Sequence, residues 1–445
     1  MKSKIKSIIA KISKRKLVKN FLLIFTGQGI ASIFTLVATV LIIAGIGSEQ
    51  HGILIVVQTY ATFFFSLFSF KTFHALIKYL VKARQNKNET DVKMYIKWSL
   101  VLDVGSLIFM FIMGILLRDP VIKLMGWPNE MRQYVILYLL IQLVNINGTT
   151  TGVLRSYEKY NYVVRGQIIS TLIRCVGYTI CFAIRRDFVS FFIAEIIATL
   201  SNYLLLIYYT YKVLKAENLL DFYKVKLKNK KEFLKFNLYN NLTVTLDLPV
   251  NQVTQLIINK YLGFAANSAY SVFEKLGAII NKLGDPINQI IYPEMNLHIA
   301  ENNIDAAKKL SRKLKKLMIV VFAGSACLTL LTYRLWFHIL IPDGNGYLWA
   351  FVLYLAFVSY VNGAMGTHNL FLALGYVKYN IPILVVVNSL YLVFLFIAVQ
   401  KIGLIGVILV YLIQAMSMVL IKELILKKNQ YKEYVSKPRR RKSNA

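Results

Sequence analysis

The stretch FLLIFTGQGIASIFTLVATVLIIA, residues 21–44, decides the class of this protein. It contains no Asp, Glu, Lys or Arg, and it is long enough to cross a bilayer as a helix. A window of about 19 residues finds about eleven similar segments after it. The predicted spans are 21–44, 53–80, 95–117, 133–152, 162–184, 189–211, 237–261, 266–291, 317–340, 347–371, 379–399 and 403–426. We therefore expect an all-α polytopic membrane protein with about twelve transmembrane helices.

Basic residues between the spans are concentrated on every second connection. If the N-terminus is cytoplasmic, the cytoplasmic segments hold roughly 40 of the 53 Lys and Arg residues, and the outside connections hold roughly seven. Because basic loops stay inside, we expect both termini on the cytoplasmic side of the membrane. The predicted organisation is a basic N-terminal tail (1–20), a six-helix bundle (21–211), a basic cytoplasmic linker (212–236), a second six-helix bundle (237–426) and a basic C-terminal tail (427–445).

Composition excludes several classes of protein. Hydrophobic residues make up 57% of the chain, which excludes an ordinary soluble enzyme. The net charge of +32 is spread over short loops and tails, so it indicates topology and attraction to anionic lipid rather than nucleic-acid binding. No Walker A, dinucleotide-binding, zincin or serine-elbow motif is present, so we expect neither an enzyme nor a bound cofactor or metal.

Two pairs of similar segments indicate an internal repeat. IGSEQHGIL at 46–54 parallels LGFAANSAY at 262–270, an offset of 216 residues. EKYNY at 158–162 and VKYNI at 377–381 both fall between the fourth and fifth spans of their half. Six helices per repeat keep the two halves in the same orientation, so the repeat predicts two bundles related by a pseudo-twofold axis along the membrane normal.

Ionisable side chains inside the spans are the candidate functional residues, because each costs about 2.5 to 3.5 kcal/mol to insert. In the second span, Lys71, His74 and Lys78 are spaced i, i+3, i+7, which predicts one cationic helix face. The seventh span has a predicted polar stripe that favours a hydrated cavity, interrupted at Pro249. The stripe consists of Asn240, Thr243, Asp247, Asn251 and Thr254, with Gln255 at its edge.

The charged residues permit two interpretations. They form structural ion pairs, with Lys71 to Asp103, Lys282 to Asp247 and Arg174 to Glu195 as the pairings, or they face an anionic ligand. The candidate substrate-binding residues are Lys71, His74, Arg174, Lys275 and Lys282. The candidate ion-coupling residues, for H⁺ or Na⁺, are Asp103, Asp247, Glu274 and Asp285.

The chain resembles the Wzx-type polysaccharide flippases of the multidrug/oligosaccharidyl-lipid/polysaccharide exporter (MOP) superfamily, which is MATE-like. The resemblance rests on NFLLIFTGQGIASIFTLVATVLII at 20–43, the G-x4-G turn from Gly47 to Gly52, FKTFHALIKYLVKA at 70–83 and YLGFAANSAYSVFEKLGAIINKLGDPINQIIYPEMN at 261–296. It implies two facing six-helix bundles with alternating access. It also implies a location in the bacterial cytoplasmic (inner) membrane and transfer of an undecaprenyl-diphosphate oligosaccharide to its outer leaflet. The cavity residues that it implies are Lys71, Arg174, Lys275 and Lys282. Many relatives carry an acidic residue where this chain has Thr254 and Gln255, so Asp247 is the expected substitute.

Two other functions fit the same pattern less well. An ion-coupled drug or cation antiporter of the superfamily is expected to have fewer cavity lysines and more acidic lining. A membrane-embedded polysaccharide polymerase or ligase usually has a long outside loop, whereas the longest outside connection here is 118–132. The expected partners are membrane lipid, the lipid-linked oligosaccharide and the polysaccharide polymerase machinery.

The charge asymmetry predicts the result of reporter fusions. A periplasm-active reporter fused after Asn218 should be silent, and the same reporter fused after Asp343 should be active, because the first site is predicted to be cytoplasmic and the second outside. Enzyme activity of the two fusions in intact cells measures this. The opposite pattern would contradict the orientation.

Overall fold

The computed structural model describes residues 2–227, 231–301, 303–342 and 346–436. Within these ranges the chain is almost entirely helical. The α-helices are α1 Lys2–Phe68, α2 Phe73–Gln85, α3 Glu89–Leu116, α4 Arg118–Met125, α5 Met131–Gln142, α6 Asn147–Ser156, α7 Tyr160–Ile184, α8 Phe188–Ala216, α9 Lys231–Leu248, α10 Thr254–Ala300, α11 Ile304–Leu340, α12 Leu348–Ala373 and α13 Asn380–Ser436. Short 3₁₀ helices occupy Leu220–Lys224 and Tyr376–Tyr379. The all-α prediction is confirmed.

Many large apolar side chains are exposed on the surface, while several ionisable side chains are buried inside, unlike the usual pattern of a water-soluble protein. Leu116 and Leu335 are 62% and 74% exposed, whereas Asp103 and Glu195 are both only 4% exposed. Lipid accepts exposed leucines but does not hydrogen-bond to polar groups. This distribution is the one that a bilayer requires.

Eight helical stretches of the described residues are long and apolar enough to cross a membrane. They are Phe25–Phe68, Glu89–Leu116, Met131–Ser156, Tyr160–Ile184, Phe188–Ala216, Ile304–Leu340, Leu348–Ala373 and Asn380–Lys428. The first and last are 44 and 49 residues long, and each overlaps two predicted spans, so the eight stretches coincide with all or part of ten of the twelve. The other two predicted spans lie in α9 and α10, where charged residues such as Glu274 and Lys275 lower the hydropathy. The protein is a multi-pass membrane protein.

Glycines in a left-handed conformation separate adjoining helices within α1, α10 and α13. Gly47 has φ 79° and ψ 167°, Gly263 has φ 86° and ψ 179°, and Gly403 has φ 66° and ψ −144°. These conformations are readily open only to glycine. Gly47 and Gly263 are 216 residues apart, the offset of the predicted repeat, so the repeat is visible in the backbone itself.

The predicted span 53–80 is not one continuous helix, which corrects the sequence analysis. α1 ends at Phe68, α2 begins at Phe73, and Lys71 between them has φ 44°. The break is stabilised from outside, because the Asn241 side chain donates to the carbonyl oxygens of Leu67 (3.4 Å) and Ser69 (2.7 Å). Since Lys71 is not helical, the predicted shared face of Lys71, His74 and Lys78 is wrong.

The predicted polar stripe of the seventh span is also interrupted. Pro249–Val253 is a π-helical turn between α9 and α10, since proline removes one backbone donor from the ladder. Asn251 is exposed on this turn, whereas Thr254 is fully buried and donates to the Val250 carbonyl at 2.9 Å. A π-helical turn contains one residue more than an α-helical turn, so the side chains after it face a different side of the helix from the one that an unbroken α-helix would give them. The side chains of Asn240 and Thr243 lie outside the described residues.

Contacts divide the chain into two compact units. The first comprises residues 1–282 and 334–346, and the second comprises 283–333 and 347–445. One core of the first unit joins α2, α3, α6, α8 and α9, and includes Leu76, Leu80, Ile96, Val153, Leu214 and Phe233. A core of the second joins α10 to α13, and includes Met295, Ala307, Leu370, Phe371, Ile383, Val387 and Leu426. The predicted bundle boundaries at 211 and 237 remain a prediction.

We expect Gly47→Ala to destabilise the protein by about 1 to 3 kcal/mol, the cost of a side chain in this backbone conformation. A Cβ at Gly47 would meet no other atom within 4 Å, so the effect would be purely conformational. Gly105→Ala is the matched control, because Gly105 is equally open but helical. Unfolding by SDS titration in micelles measures the stability of both variants. An equal loss of stability in the two would contradict a requirement for glycine in the backbone conformation of Gly47.

Candidate functional site

Two adjoining polar cavities lie inside the first compact unit, between α1, α5, α7, α8 and α10. The smaller has a volume of about 160 Å³ and the larger about 350 Å³. Thr35, Gln58, Arg174 and Glu195 line both. These four residues therefore form the boundary where the cavities meet.

The Glu195 carboxylate is the centre of the site. Arg174 donates to it twice, from Nε to Oε2 at 2.6 Å and from Nη2 to Oε1 at 3.0 Å. Gln58 Nε2 donates to Oε1 at 3.0 Å, Tyr178 OH to Oε2 at 2.8 Å, and Thr199 Oγ1 to Oε1 at 3.2 Å. The predicted Arg174 to Glu195 pair thus exists, with bidentate geometry, and three further donors complete its solvation.

The smaller cavity contains the ammonium group of Lys275. Its Nζ donates to Thr39 Oγ1 at 3.1 Å, and it interacts electrostatically with Glu195, Arg174 and Glu274. His51 lines the same cavity, is 1% exposed and shares a 2.6 Å hydrogen bond between its Nδ1 and Ser268 Oγ. Its volume lies below the range of about 300 to 1,000 Å³ found for whole small-molecule ligands, so it suits a small charged group of a larger ligand.

Glu274 lies beside Lys275 but bonds in another direction. The Gln255 amide donates to Glu274 Oε2, and the Thr59 hydroxyl donates to Gln255 Oε1. These two hydrogen bonds connect Thr59 of α1 to Gln255 at the start of α10, and Gln255 to Glu274 further along α10. A carboxylate therefore faces Gln255, the position where the resemblance leads one to expect an acidic residue, and it comes from the next predicted span.

Neutral groups dominate the larger cavity. Apart from Arg174 and Glu195 it is lined by hydroxyl, amide and phenol side chains, namely Thr35, Gln58, Thr62, Tyr138, Gln167, Ser170, Thr171, Thr199, Asn202 and Tyr203. Thr35, Ser170 and Thr171 donate to carbonyl groups of their own helices. The cavity is polar without being strongly charged.

Lys71 and His74 lie away from these cavities, at the break between α1 and α2. Lys71 interacts electrostatically with Asp247 of α9. His74 is exposed and stacks on Phe73, with ring centroids 3.8 Å apart, and Arg155 lies 5.6 Å from the Phe73 ring. The break therefore holds its own group of basic side chains.

Asp103 is bound to backbone and hydroxyl groups, and not to Lys71, its partner in the ion-pair interpretation. Thr72 Oγ1 donates to its Oδ1 at 2.8 Å, and the backbone N–H of Thr149 donates to its Oδ2 at 2.6 Å. Thr149 Oγ1 donates to Oδ2 at 2.8 Å, and Ser99 Oγ donates to Thr72 Oγ1 at 2.8 Å. The carboxylate caps the N-terminus of α6 and ties it to the break. Gly148 is required here, because a Cβ would lie 2.6 Å from Asp103 Oδ1.

Lys282 likewise has a different partner from the predicted Asp247. Its Nζ donates to the Gln28 carbonyl at 2.9 Å and to the Ser32 hydroxyl, so it binds α10 to α1. The side chain of Asp285 lies outside the described residues.

Of the candidate substrate-binding residues, the structure brings Arg174 and Lys275 together at the cavities and places Lys71, His74 and Lys282 elsewhere. Their roles in binding stay predictions.

Sequence reasoning missed the uncharged residues of the site. Gln167, Ser170, Thr171, Arg174 and Tyr178 recur at spacings of three and four along α7. Glu195, Thr199 and Asn202 follow the same rule along α8. The spacing of these residues in the sequence indicates a polar face on each of two apolar helices. The sequence analysis did not use this signal because it considered mainly charged residues. Among the described residues, no group of three or more His, Cys, Asp or Glu side chains is placed to hold a metal ion.

Comparisons with known proteins agree on family and fold. The family model described as polysaccharide biosynthesis protein matches residues 17–296. Inner membrane protein YghQ of Escherichia coli K12 is 21% identical over 289 residues, which are 63% of this chain and 80% of that protein. An inward-facing multidrug resistance MATE family transporter of the MOP superfamily superposes with a TM-score of 0.70 at 14% identity, over 91% of this chain and 96% of that one. A MOP superfamily transporter from Pyrococcus furiosus gives 0.63 at 15% identity, over 94% and 95%. The fold is that of MATE transporters, as the sequence predicted.

We expect Glu195→Leu to destabilise the protein by about 3 to 5 kcal/mol, because it leaves the Arg174 guanidinium buried without a counter-charge. The double variant Arg174→Met with Glu195→Leu should recover much of that loss, since a buried pair replaced by apolar groups of similar volume is often tolerated. SDS-titrated unfolding of both variants measures the difference. A double variant no more stable than Glu195→Leu alone would contradict the pairing as the source of stability.

Proposed function

Because the chain belongs to the polysaccharide biosynthesis protein family, we propose that it is a flippase for lipid-linked oligosaccharide. It moves an undecaprenyl-diphosphate-linked repeat unit from the inner to the outer leaflet of the cytoplasmic membrane, by alternating access, for surface polysaccharide synthesis. The family and the MATE-type fold point to a transporter rather than an enzyme.

The observation that carries this proposal is the pair of adjoining cavities of different polarity. A lipid-linked oligosaccharide has a diphosphate next to an uncharged, hydroxyl-rich body. The smaller cavity offers the Lys275 ammonium, and the larger offers neutral hydrogen-bonding groups. The two halves of the site correspond to the two polar parts of such a substrate.

Lys275 is the proposed contact for the diphosphate. Its cationic neighbour Arg174 is already neutralised by Glu195, whereas within the described residues Lys275 Nζ makes one hydrogen bond, to the Thr39 hydroxyl. An ammonium group has three donors, so two remain for phosphate oxygens. A buried cation that interacts with an anion only during transport lowers the cost of moving phosphate through hydrocarbon.

The antiporter alternative has less support from the same geometry. A cation substrate needs an accessible carboxylate, but Glu195 accepts five hydrogen bonds from four residues. Among the described residues, Glu274 is a second carboxylate close to the smaller cavity, where it interacts with Lys275, and it accepts from Gln255. We assign Glu274 to H⁺ or Na⁺ coupling, because a carboxylate with one amide partner can exchange a proton or ion more readily than one with five donors.

Replacement of Lys275 tests the proposal. In a strain that depends on this protein for export, Lys275→Met should lower surface polysaccharide at least about tenfold, the effect of losing one hydrogen bond to a charged group. Lipid-linked repeat units should accumulate on the cytoplasmic side. Lys275→Arg should retain much of the export because it keeps the charge.

Lys401→Met is the matched control, because Lys401 is exposed beside the Gly403 turn. Surface glycan staining and extraction of lipid-linked intermediates provide the readouts, with membrane protein levels measured in parallel. Full export by Lys275→Met at normal protein level would contradict a role of this lysine in substrate transfer. Unchanged glycan in a complete deletion strain would contradict the flippase assignment itself.

A further inference from the structure

We propose that the larger cavity is a subsite for a neutral sugar, the residue of the oligosaccharide nearest the diphosphate. This inference rests on the proposed flippase function and deepens it. It assigns to α7 and α8 a role in choosing the glycan, separate from the role of Lys275 in holding the diphosphate.

The charge state of the cavity argues against an anion there. Among the described residues that line it, Arg174 is the one cation, and both oxygens of Glu195 accept from that guanidinium, at 2.6 and 3.0 Å. A phosphate would have to compete with a bidentate carboxylate that three other groups also stabilise. A neutral ligand avoids this competition. It can still accept hydrogen bonds from the other N–H groups of Arg174, since Glu195 occupies two of the five.

Several groups in the cavity have unused hydrogen-bonding capacity. Within the part of the chain that the structure describes, the side chains of Thr62, Gln167 and Asn202 make no hydrogen bond to protein. Each amide both donates and accepts, as does each hydroxyl. Sugar hydroxyls also do both, so these three side chains match a sugar better than a ligand that only accepts or only donates.

Size and lining agree with this ligand class. The volume of about 350 Å³ falls at the lower end of the range of about 300 to 1,000 Å³ found for small-molecule sites. Tyr138 and Tyr203 add aromatic surface, and Tyr203 OH donates to Gln142 Oε1 at 3.3 Å. An aromatic ring with a fixed polar tip offers an apolar surface to the C–H face of a sugar while polar neighbours bind its hydroxyls.

The position of the cavity fits the order of groups in the substrate. Thr35, Gln58, Arg174 and Glu195 line both cavities, so a ligand passes from one to the other without leaving the site. The first sugar of a glycolipid is bonded directly to the diphosphate. With the diphosphate at Lys275, that sugar enters the larger cavity.

The test measures how much a sugar adds to binding. The purified full-length protein is titrated with a short-chain polyprenyl diphosphate, bare or bearing a single glucose, galactose or N-acetylglucosamine. We expect at least one glycosylated form to bind the wild-type protein about tenfold or more tightly than the bare diphosphate, the effect of one or two added hydrogen bonds. Asn202→Leu and Gln167→Met should lose that gain while binding the bare diphosphate as wild type does.

Gln400→Met is the matched control for Gln167→Met, because Gln400 is also exposed but its amide donates to its own helix, at the Phe396 carbonyl. Thermal unfolding confirms that each variant is folded, and Thr62→Val replaces any variant that is not. If no sugar improves binding to the wild-type protein, or if the variants weaken bare and glycosylated lipid equally, the sugar subsite is wrong and the flippase proposal stands. Absence of any diphosphate binding by the wild type would contradict the proposed function, and the subsite with it.

Discussion

The carboxylate of Glu195 is the interaction on which the interior of the first unit depends. A negative charge within a membrane is tolerated only if donors replace its lost hydration. Here Arg174 and Tyr178 of α7, Gln58 of α1 and Thr199 of its own helix supply those donors. Each bond fixes the rotation of a helix, so this one group determines which faces of α1, α7 and α8 enclose the cavities.

The same requirement explains the break between α1 and α2. In lipid, every exposed backbone polar group must find a partner inside the protein. Asn241 accordingly donates to the carbonyls at the end of α1, and Asp103 accepts from the first turn of α6 and from Thr72. Asp103, a candidate ion-coupling residue, and Asn241, which the sequence analysis did not single out, therefore both bind backbone groups near the break. The positive φ of Lys71 persists because these neighbours hold the segment on both sides.

Charge alone does not tell which residues inside the predicted spans already have partners within the protein. Asp103, Lys282 and Arg174 all lie within predicted spans, yet the partners of each are hydroxyls, carbonyls or a carboxylate of the protein. Lys275 is different because its cavity leaves part of its ammonium group unoccupied by strong acceptors. The neutral side chains of α7 and α8, which carry no obvious signal, are what give the larger cavity its chemistry.

The sequence by itself determined the helical membrane class and the positions of most of the apolar helices, because hydropathy and helix length are local properties. FLLIFTGQGIASIFTLVATVLIIA is a membrane helix whatever surrounds it. Only the tertiary structure decided that Asp103 caps α6, that Lys282 binds α1 and that Glu274 faces Gln255. A buried charge takes the nearest suitable donor or acceptor, and which one is nearest depends on helix rotation and on breaks at Phe68 and Pro249, which no periodicity in the sequence specifies.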